Sequence, residues 1–269
     1  MSHSIPSEKQ PSVPVPSDSS ERVPSAFPVL PKNPDELPPI PGGWQQVEYP
    51  IGARTLQVYR PIDPDLFLDD ETVQRENARH DYMPYWAFLW PSALSMAAAV
   101  QHAAWPAGTS LLELGAGIGL VGLAAALRGD QVTYSDYDRT ALHLCRLNSR
   151  LNQLGDPELL FLDWRAPPQR QFPAIMGCEV TYDADLHIAL LETIDQLLTA
   201  QGVCWLGDPG RYQARFFVEK ARSRGWQVDL LDAQGKPRQD FASGEFQIMA
   251  LRRASGCVAV PAADSQTPA

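Results

Sequence analysis

From residue 110 onward, short apolar runs alternate with amphipathic stretches, and this order restricts the possible folds more than any other feature of the chain. Strands are expected at 110–114, 131–135, 159–162, 174–178, 203–206, 226–231 and 246–252. Helices are expected at 120–128, 140–154, 184–200 and 212–224. Within the second helix, Ala141, Leu144, Leu147, Leu151 and Leu154 fall on one stripe. The pattern specifies an α/β fold: a doubly wound, mostly parallel seven-stranded sheet with helices on both faces. No helical period separates the last two strands, so they are expected to pair as an antiparallel C-terminal hairpin. Upstream, 44–49 and 54–59 alternate apolar and polar residues around Ile51-Gly52, which predicts an N-terminal β-hairpin. An Asp-rich linker follows, and Pro91-Ser92 open an Ala-rich helix reaching about Ala104.

Composition sets the limits around this core. Residues 1–41 hold many of the 25 prolines, interleaved with Ser, Glu and Asp. Such a segment buries too little apolar surface to offset chain entropy, so it reads as a disordered tail. Residues 254–269 read as a second, flexible tail, which leaves 42–253 as the folded domain. The 32 Asp+Glu against 22 Lys+Arg give a net charge of -10, which phosphate backbones repel, so no nucleic-acid partner is expected. No apolar run approaches the roughly 20 residues needed to span a bilayer, and no membrane role is expected. The N-terminus carries no apolar signal region. Cys145, Cys178, Cys204 and Cys257 are far apart, and His80 and His187 have no partners at ligand spacing, so neither a disulfide scaffold nor a metal site is expected. A monomer in the cytoplasm is the expectation.

The first strand runs into Leu111-Leu-Glu-Leu-Gly-Ala-Gly-Ile-Gly-Leu120, where Gly115, Gly117 and Gly119 space as GxGxG. A dinucleotide fingerprint, GxGxxG, needs a glycine where Leu120 stands. Glu113 precedes the loop; its carboxylate would repel a pyrophosphate and suit an α-amino group. This polarity favours S-adenosylmethionine. The second strand ends in Tyr134-Ser-Asp-Tyr-Asp138, which puts Asp136 at the switch point to accept from ribose hydroxyls, with Tyr137 beside it. Asp138 is expected to cap the following helix. After the third strand, Asp163-Trp164 fits either an adenine site, carboxylate to the amino group and indole over the ring, or a Trp packed on the sheet edge. Cys178 has no base to pair with in sequence, so a cofactor contact through its backbone is expected.

Four segments together resemble one group: Pro84-Tyr-Trp-Ala-Phe-Leu-Trp-Pro-Ser92, the glycine loop, Asp163-Trp164, and Gly177-Cys-Glu-Val-Thr-Tyr-Asp183. The chain is similar over roughly 44–253 to the lysine-methyltransferase-like branch of seven-strand S-adenosylmethionine-dependent methyltransferases. That branch includes the electron-transfer-flavoprotein β-subunit lysine methyltransferase and nicotinamide N-methyltransferase-like proteins. The resemblance implies Trp90 beside the cofactor's methionine end, Glu113 and the glycines at its amino acid moiety, Asp136 at the ribose, and Asp163-Trp164 at the adenine. The family's fourth-strand motif commonly reads Asp-x-x-Tyr; here it reads Glu179-Val-Thr-Tyr182, one methylene longer. The resemblance makes these two the catalytic candidates, Glu179 steering an incoming ammonium and Tyr182 walling the acceptor channel. A core aromatic is the plainer reading of Tyr182. A Pro-Pro-Tyr motif is absent here, which argues against DNA adenine or glutamine acceptors. Methylation of a protein lysine is the leading expectation. A small-molecule N- or O-methyltransferase and a non-catalytic binding module on the same fold stand as alternatives.

Overall fold

The computed structural model describes residues 27–254. Strands β1 (Trp44–Ile51) and β2 (Arg54–Pro61) form the expected antiparallel hairpin, turning at Gly52 with φ +59°. A 3-10 turn over Pro64–Asp69 then leads into α1 (Glu71–His80). The sequence reading took this Asp-rich stretch as linker. Asp70 instead caps α1, its carboxylate accepting the backbone N–H of Thr72 and Val73 at 2.8 and 3.2 Å. Helix α2 (Ser92–Val100) ends one turn earlier than expected.

The alternating part follows as β3 (Ser110–Leu114), α3 (Leu120–Arg128), β4 (Gln131–Asp136), α4 (Arg139–Leu151), β5 (Glu158–Phe161), β6 (Phe172–Cys178), α5 (His187–Leu197), β7 (Leu198–Asp208), α6 (Tyr212–Ser223), β8 (Trp226–Leu231), β9 (Pro237–Arg238) and β10 (Gln247–Arg253). Among the described residues these strands make a mixed sheet of eight, ordered β5-β4-β3-β6-β7-β10-β8-β9. β5, β4, β3, β6 and β7 run parallel, while β10 is antiparallel to both β7 and β8. The last strand therefore inserts between β7 and β8. The expected seven strands become eight through the two-residue β9, which pairs with β8. β7 begins earlier than its apolar run suggests, because Leu198 pairs with Phe172 and closes α5.

Apolar faces bury the sheet on both sides. Leu190, Leu191 and Ile194 of α5 and Phe217, Val218 and Ala221 of α6 cover one face. Met96, Val100, Val121, Ala125, Leu142 and Cys145, from α2, α3 and α4, cover the other. The hairpin lies outside that second face, where Leu56 and Val58 join Leu123, Ala141 and Leu144. Of the expected N-terminal tail, 1–26 lies outside the described residues, but Phe27, Leu37 and Ile40 pack against this third cluster.

Asn148 of α4 and Asn152, which caps the helix one turn later, fasten the hairpin. The Asn148 side chain accepts from Tyr59 N at 2.7 Å and donates to Ile118 O at 2.8 Å, and Asn152 accepts from Gln57 N at 2.8 Å and donates to Gln57 O at 2.6 Å. Two amides thus occupy the edge of β2 where a third strand would pair. Asn148→Ala strands buried backbone groups, so it should lower unfolding free energy by about 3 kcal/mol in urea titration, against under 1 kcal/mol for exposed Gln46→Ala.

Candidate functional site

The carboxyl ends of β3, β4, β5 and β6 open into a cleft of about 650 Å³. The chain leaves β3 for β4 on one side and later returns to β6 on the other, so the cleft lies at the switch point of strand order. Trp90, Glu113, Gly115, Gly117, Asp136, Tyr137, Asp163, Trp164, Cys178, Glu179 and Tyr182 all line it. Gly119 does not: it caps α3 and faces Cys145, where a Cβ would fall 3.0 Å from the sulfur. Gly115 has φ +60°, and a Cβ there would come 2.9 Å from Val180. Only glycine lets the backbone pass so close under the cleft floor.

Glu113 is buried behind this loop. Its Oε2 has no hydrogen-bond partner, and burial pushes its carboxyl well above the usual carboxylate range, with the Gly122 N–H opposing. A cationic group at Oε2 would restore the ionised form. Asp136 accepts from Gly117 N and Asp138 N, both at 2.9 Å; burial still raises its pKa from 3.8 to about 6. The Tyr137 N–H also bonds this carboxylate, and its two oxygens, with about four lone-pair sites, still leave room for a ligand hydroxyl. Asp138 caps α4 through Thr140 N at 2.7 Å and also accepts from the Tyr82 hydroxyl at 2.6 Å. Tyr82 draws the segment before α2 over the cleft, a contact that no spacing in the sequence advertised.

At the far rim, Asp163 is ion-paired to Arg165 at 2.8 Å, and that guanidinium lies 6.0 Å from the Tyr137 ring. Trp164 lines the cleft and also packs against the cluster beneath α5. The Cys178 thiol is pushed up by burial and then by neighbouring carboxylates, which removes it as a thiolate nucleophile.

Glu179 differs from its expected role. It follows β6 in the left-handed region, φ 58°, held by its N–H donating to Gly207 O at 2.7 Å. Its Oε1 accepts from Ser92 N, the first residue of α2, at 2.9 Å, and its Oε2 is ion-paired to Arg211. The carboxylate is therefore already engaged, and it ties α2 to the start of α6. Arg211 is the residue that sequence reasoning missed. The run Asp208-Pro-Gly210 reads as a turn and is one: Asp208 accepts from Gly210 N and Arg211 N at 2.8 and 2.7 Å. That turn aims Arg211 back at Glu179, and its guanidinium lies 5.8 Å from the Trp90 ring. Tyr182 is no core aromatic: it is 42% exposed and meets Tyr85 edge-on at 5.7 Å. Desolvation pushes its hydroxyl up to about 12, so it stays protonated at neutral pH.

A family model described as lysine methyltransferase matches residues 86–221. Over 133 residues the chain is 31% identical to the electron transfer flavoprotein beta subunit lysine methyltransferase of Mus musculus, covering 48% of this chain and 52% of that protein. It is 36% identical over 111 residues to the protein N-lysine methyltransferase METTL21A of Xenopus tropicalis, covering 39% and 51%. It is 29% identical over 124 residues to the histone-arginine methyltransferase METTL23 of Mus musculus, covering 42% and 48%. The chain spans about half the length of the curated relatives it matches. Among solved structures, the ribosomal protein L11 methylase of Lactobacillus delbrueckii subsp. bulgaricus shares the fold, with TM-score 0.50 at 17% identity over 61% of this chain and 79% of that one.

Removing one partner of a buried ion pair leaves the other uncompensated. Arg211→Ala should therefore lower stability by about 3 kcal/mol in denaturant titration. The Glu179→Ala/Arg211→Ala double variant should lose less than the sum of the single losses.

Proposed function

The chain belongs to the lysine methyltransferase family, and from that premise we propose that it transfers a methyl group from S-adenosylmethionine to a lysine side-chain nitrogen of another protein. The observation that carries the reading is Glu113: a buried carboxylate oxygen without a partner, behind a glycine loop that leaves the cleft floor bare. That arrangement fits the α-ammonium of S-adenosylmethionine. Asp136 would take the ribose hydroxyls, and Asp163 and Trp164 the adenine. When bound, the cofactor supplies a methyl group on a sulfonium, already activated for displacement.

The chain's own residues then have to position an amine and strip its proton. Tyr85, Trp90 and Tyr182 surround the cleft mouth with aromatic surface. An ammonium entering between these rings loses water, which lowers its pKa and releases the proton to solvent. Held there with its lone pair free, the amine would face the activated methyl that the cofactor would supply when bound. Glu179 acts as a positioning residue here, fixing α2 and Arg211 around the mouth. The exposed mouth, with Asp183 on its lining, favours a protein acceptor over an enclosed metabolite.

The direct test incubates the full chain with tritiated S-adenosylmethionine and a lysate of cells lacking it. Label should enter a protein band and be recovered as methyl-lysine on hydrolysis; label confined to small molecules would overturn the lysine reading. Glu113→Gln should weaken S-adenosylhomocysteine binding about 10- to 100-fold by calorimetry. It should leave melting temperature unchanged or raised, because it removes a buried carboxyl that lacks compensation.

Asp136 gives a pH test. Ribose hydroxyls donate to the ionised carboxylate, so binding favours deprotonation. Affinity for S-adenosylhomocysteine should fall as pH drops through about 6, and Asp136→Asn should flatten that dependence. The free protein responds with the opposite sign. A carboxyl raised from 3.8 to about 6 contributes stability that is present at low pH and lost as pH rises across that window.

A further inference from the structure

The cleft mouth leaves large aromatic rings uncovered. Tyr85, Trp90 and Tyr182 are 45%, 37% and 42% exposed, in an otherwise well-filled core. Their contacts continue outward. Tyr182 meets Tyr85, Tyr85 lies 6.3 Å from Trp90, and Trp90 lies beside the Arg211 guanidinium. The next residue, Tyr212, opens α6, is 69% exposed and packs edge-on at 4.6 Å against Phe216, itself 39% exposed. α6 follows a strand of the parallel set, so its first turn starts at the sheet edge where the cleft opens. Exposed aromatic rings therefore stand both at the cleft mouth and on the first turns of α6, with Arg211 adjoining Tyr212 in the chain and Trp90 in space, the kind of surface that marks a protein contact.

Its charge is one-sided. Arg211 is answered by Glu179 and Asp208. Asp183, on the cleft lining, and Asp185 both follow Tyr182; the Asp183 carboxylate accepts the Asp185 N–H, and neither is ion-paired among the described residues. The mouth thus presents aromatic rings beside the unpaired Asp183 carboxylate, with Asp185 two residues on, in a chain of net charge -10.

We propose that this surface is the docking site for the substrate protein, and that its occupant is a segment in which the acceptor lysine is flanked by basic and apolar side chains. The inference rests on the protein-lysine reading above. Tyr212 and Phe216 would bury apolar flanks, and the two aspartates would orient basic ones and repel acidic segments. Specificity then depends on residues around the acceptor as well as on the lysine itself.

Two fluorescent peptides with one central lysine test this on the full chain saturated with S-adenosylhomocysteine. One peptide carries arginine and leucine flanks, the other glutamate and glycine. The first should bind about tenfold or more tighter by anisotropy. Tyr212→Ser/Phe216→Ser should abolish most of that preference, and Asp183→Asn/Asp185→Asn should reduce it and weaken its salt dependence. Both double variants should bind S-adenosylhomocysteine as the natural chain does, which reports an intact fold. Equal binding of the two peptides, including none, or a preference that survives Tyr212→Ser/Phe216→Ser, overturns the docking surface. Tritium confined to metabolites while the peptide preference stands would remove the lysine reading and keep the surface. Tritium in protein with equal peptide binding would do the reverse.

Discussion

The turn between β3 and α3 is held from three sides, and the rest of the site depends on that clamp. Ala116 N donates to Ser135 O of β4 at 2.9 Å, Gly117 N donates to Asp136 at 2.9 Å, and Asn148 of α4 donates to Ile118 O at 2.8 Å. Left-handed glycines alone would leave the loop many conformations, at an entropic cost on folding. Anchors from β4 and α4 select one. Because Asn148 also accepts from Tyr59 of β2, the N-terminal hairpin becomes part of the same clamp. An accessory element far from the cleft thereby contributes to the shape of its floor.

The carboxylates around the cleft are satisfied to different degrees, and this grading separates their roles. Asp138 is fully occupied as a helix cap and as acceptor from Tyr82. Glu179 is neutralised by Arg211 and anchored to Ser92. Asp136 holds the backbone N–H groups of Gly117, Tyr137 and Asp138 and retains room for a further donor. Glu113 alone of the four keeps an oxygen without a partner. In a low-dielectric floor, that oxygen is the strongest attractor for a cationic ligand. The polarity of the cleft thus follows from which carboxylates the fold has already answered.

Local chemistry explains what was legible in the sequence. β3, α3 and β8 fall at their expected bounds because glycines or polar residues punctuate them; α3 runs between Gly119 and Gly129, both left-handed. The glycine loop, Glu113 and Asp136 were readable because they are adjacent to strands in sequence. The hidden features depend on contacts made across the fold. Arg211 meets Glu179 across 32 residues and Asn148 meets Tyr59 across 89, and neither spacing carries a periodic signal. α1 was obscured because its capping Asp70 sits in a run of acidic residues that also suits a loop. Residues 27–41 look like tail by composition, yet His143 Nε2 donates to Glu36 O and Trp44 donates to Pro38 O. Prolines described the local chain well and said nothing of the surface waiting for it.

The extra methylene at Glu179 has a structural consequence. The residue leaves β6 in the left-handed region, and its side chain must reach both the start of α2 and the guanidinium arriving from the end of β7. The longer carboxylate spans those two groups while its backbone N–H stays bonded to Gly207 O. One side chain therefore joins the segment bearing Tyr85 and Trp90 to the segment bearing Tyr212. The aromatic rings of the cleft mouth hold their mutual spacing through that junction. The lengthened carboxylate is the bracket that joins the end of β6 to the start of α2 and to the Arg211 turn.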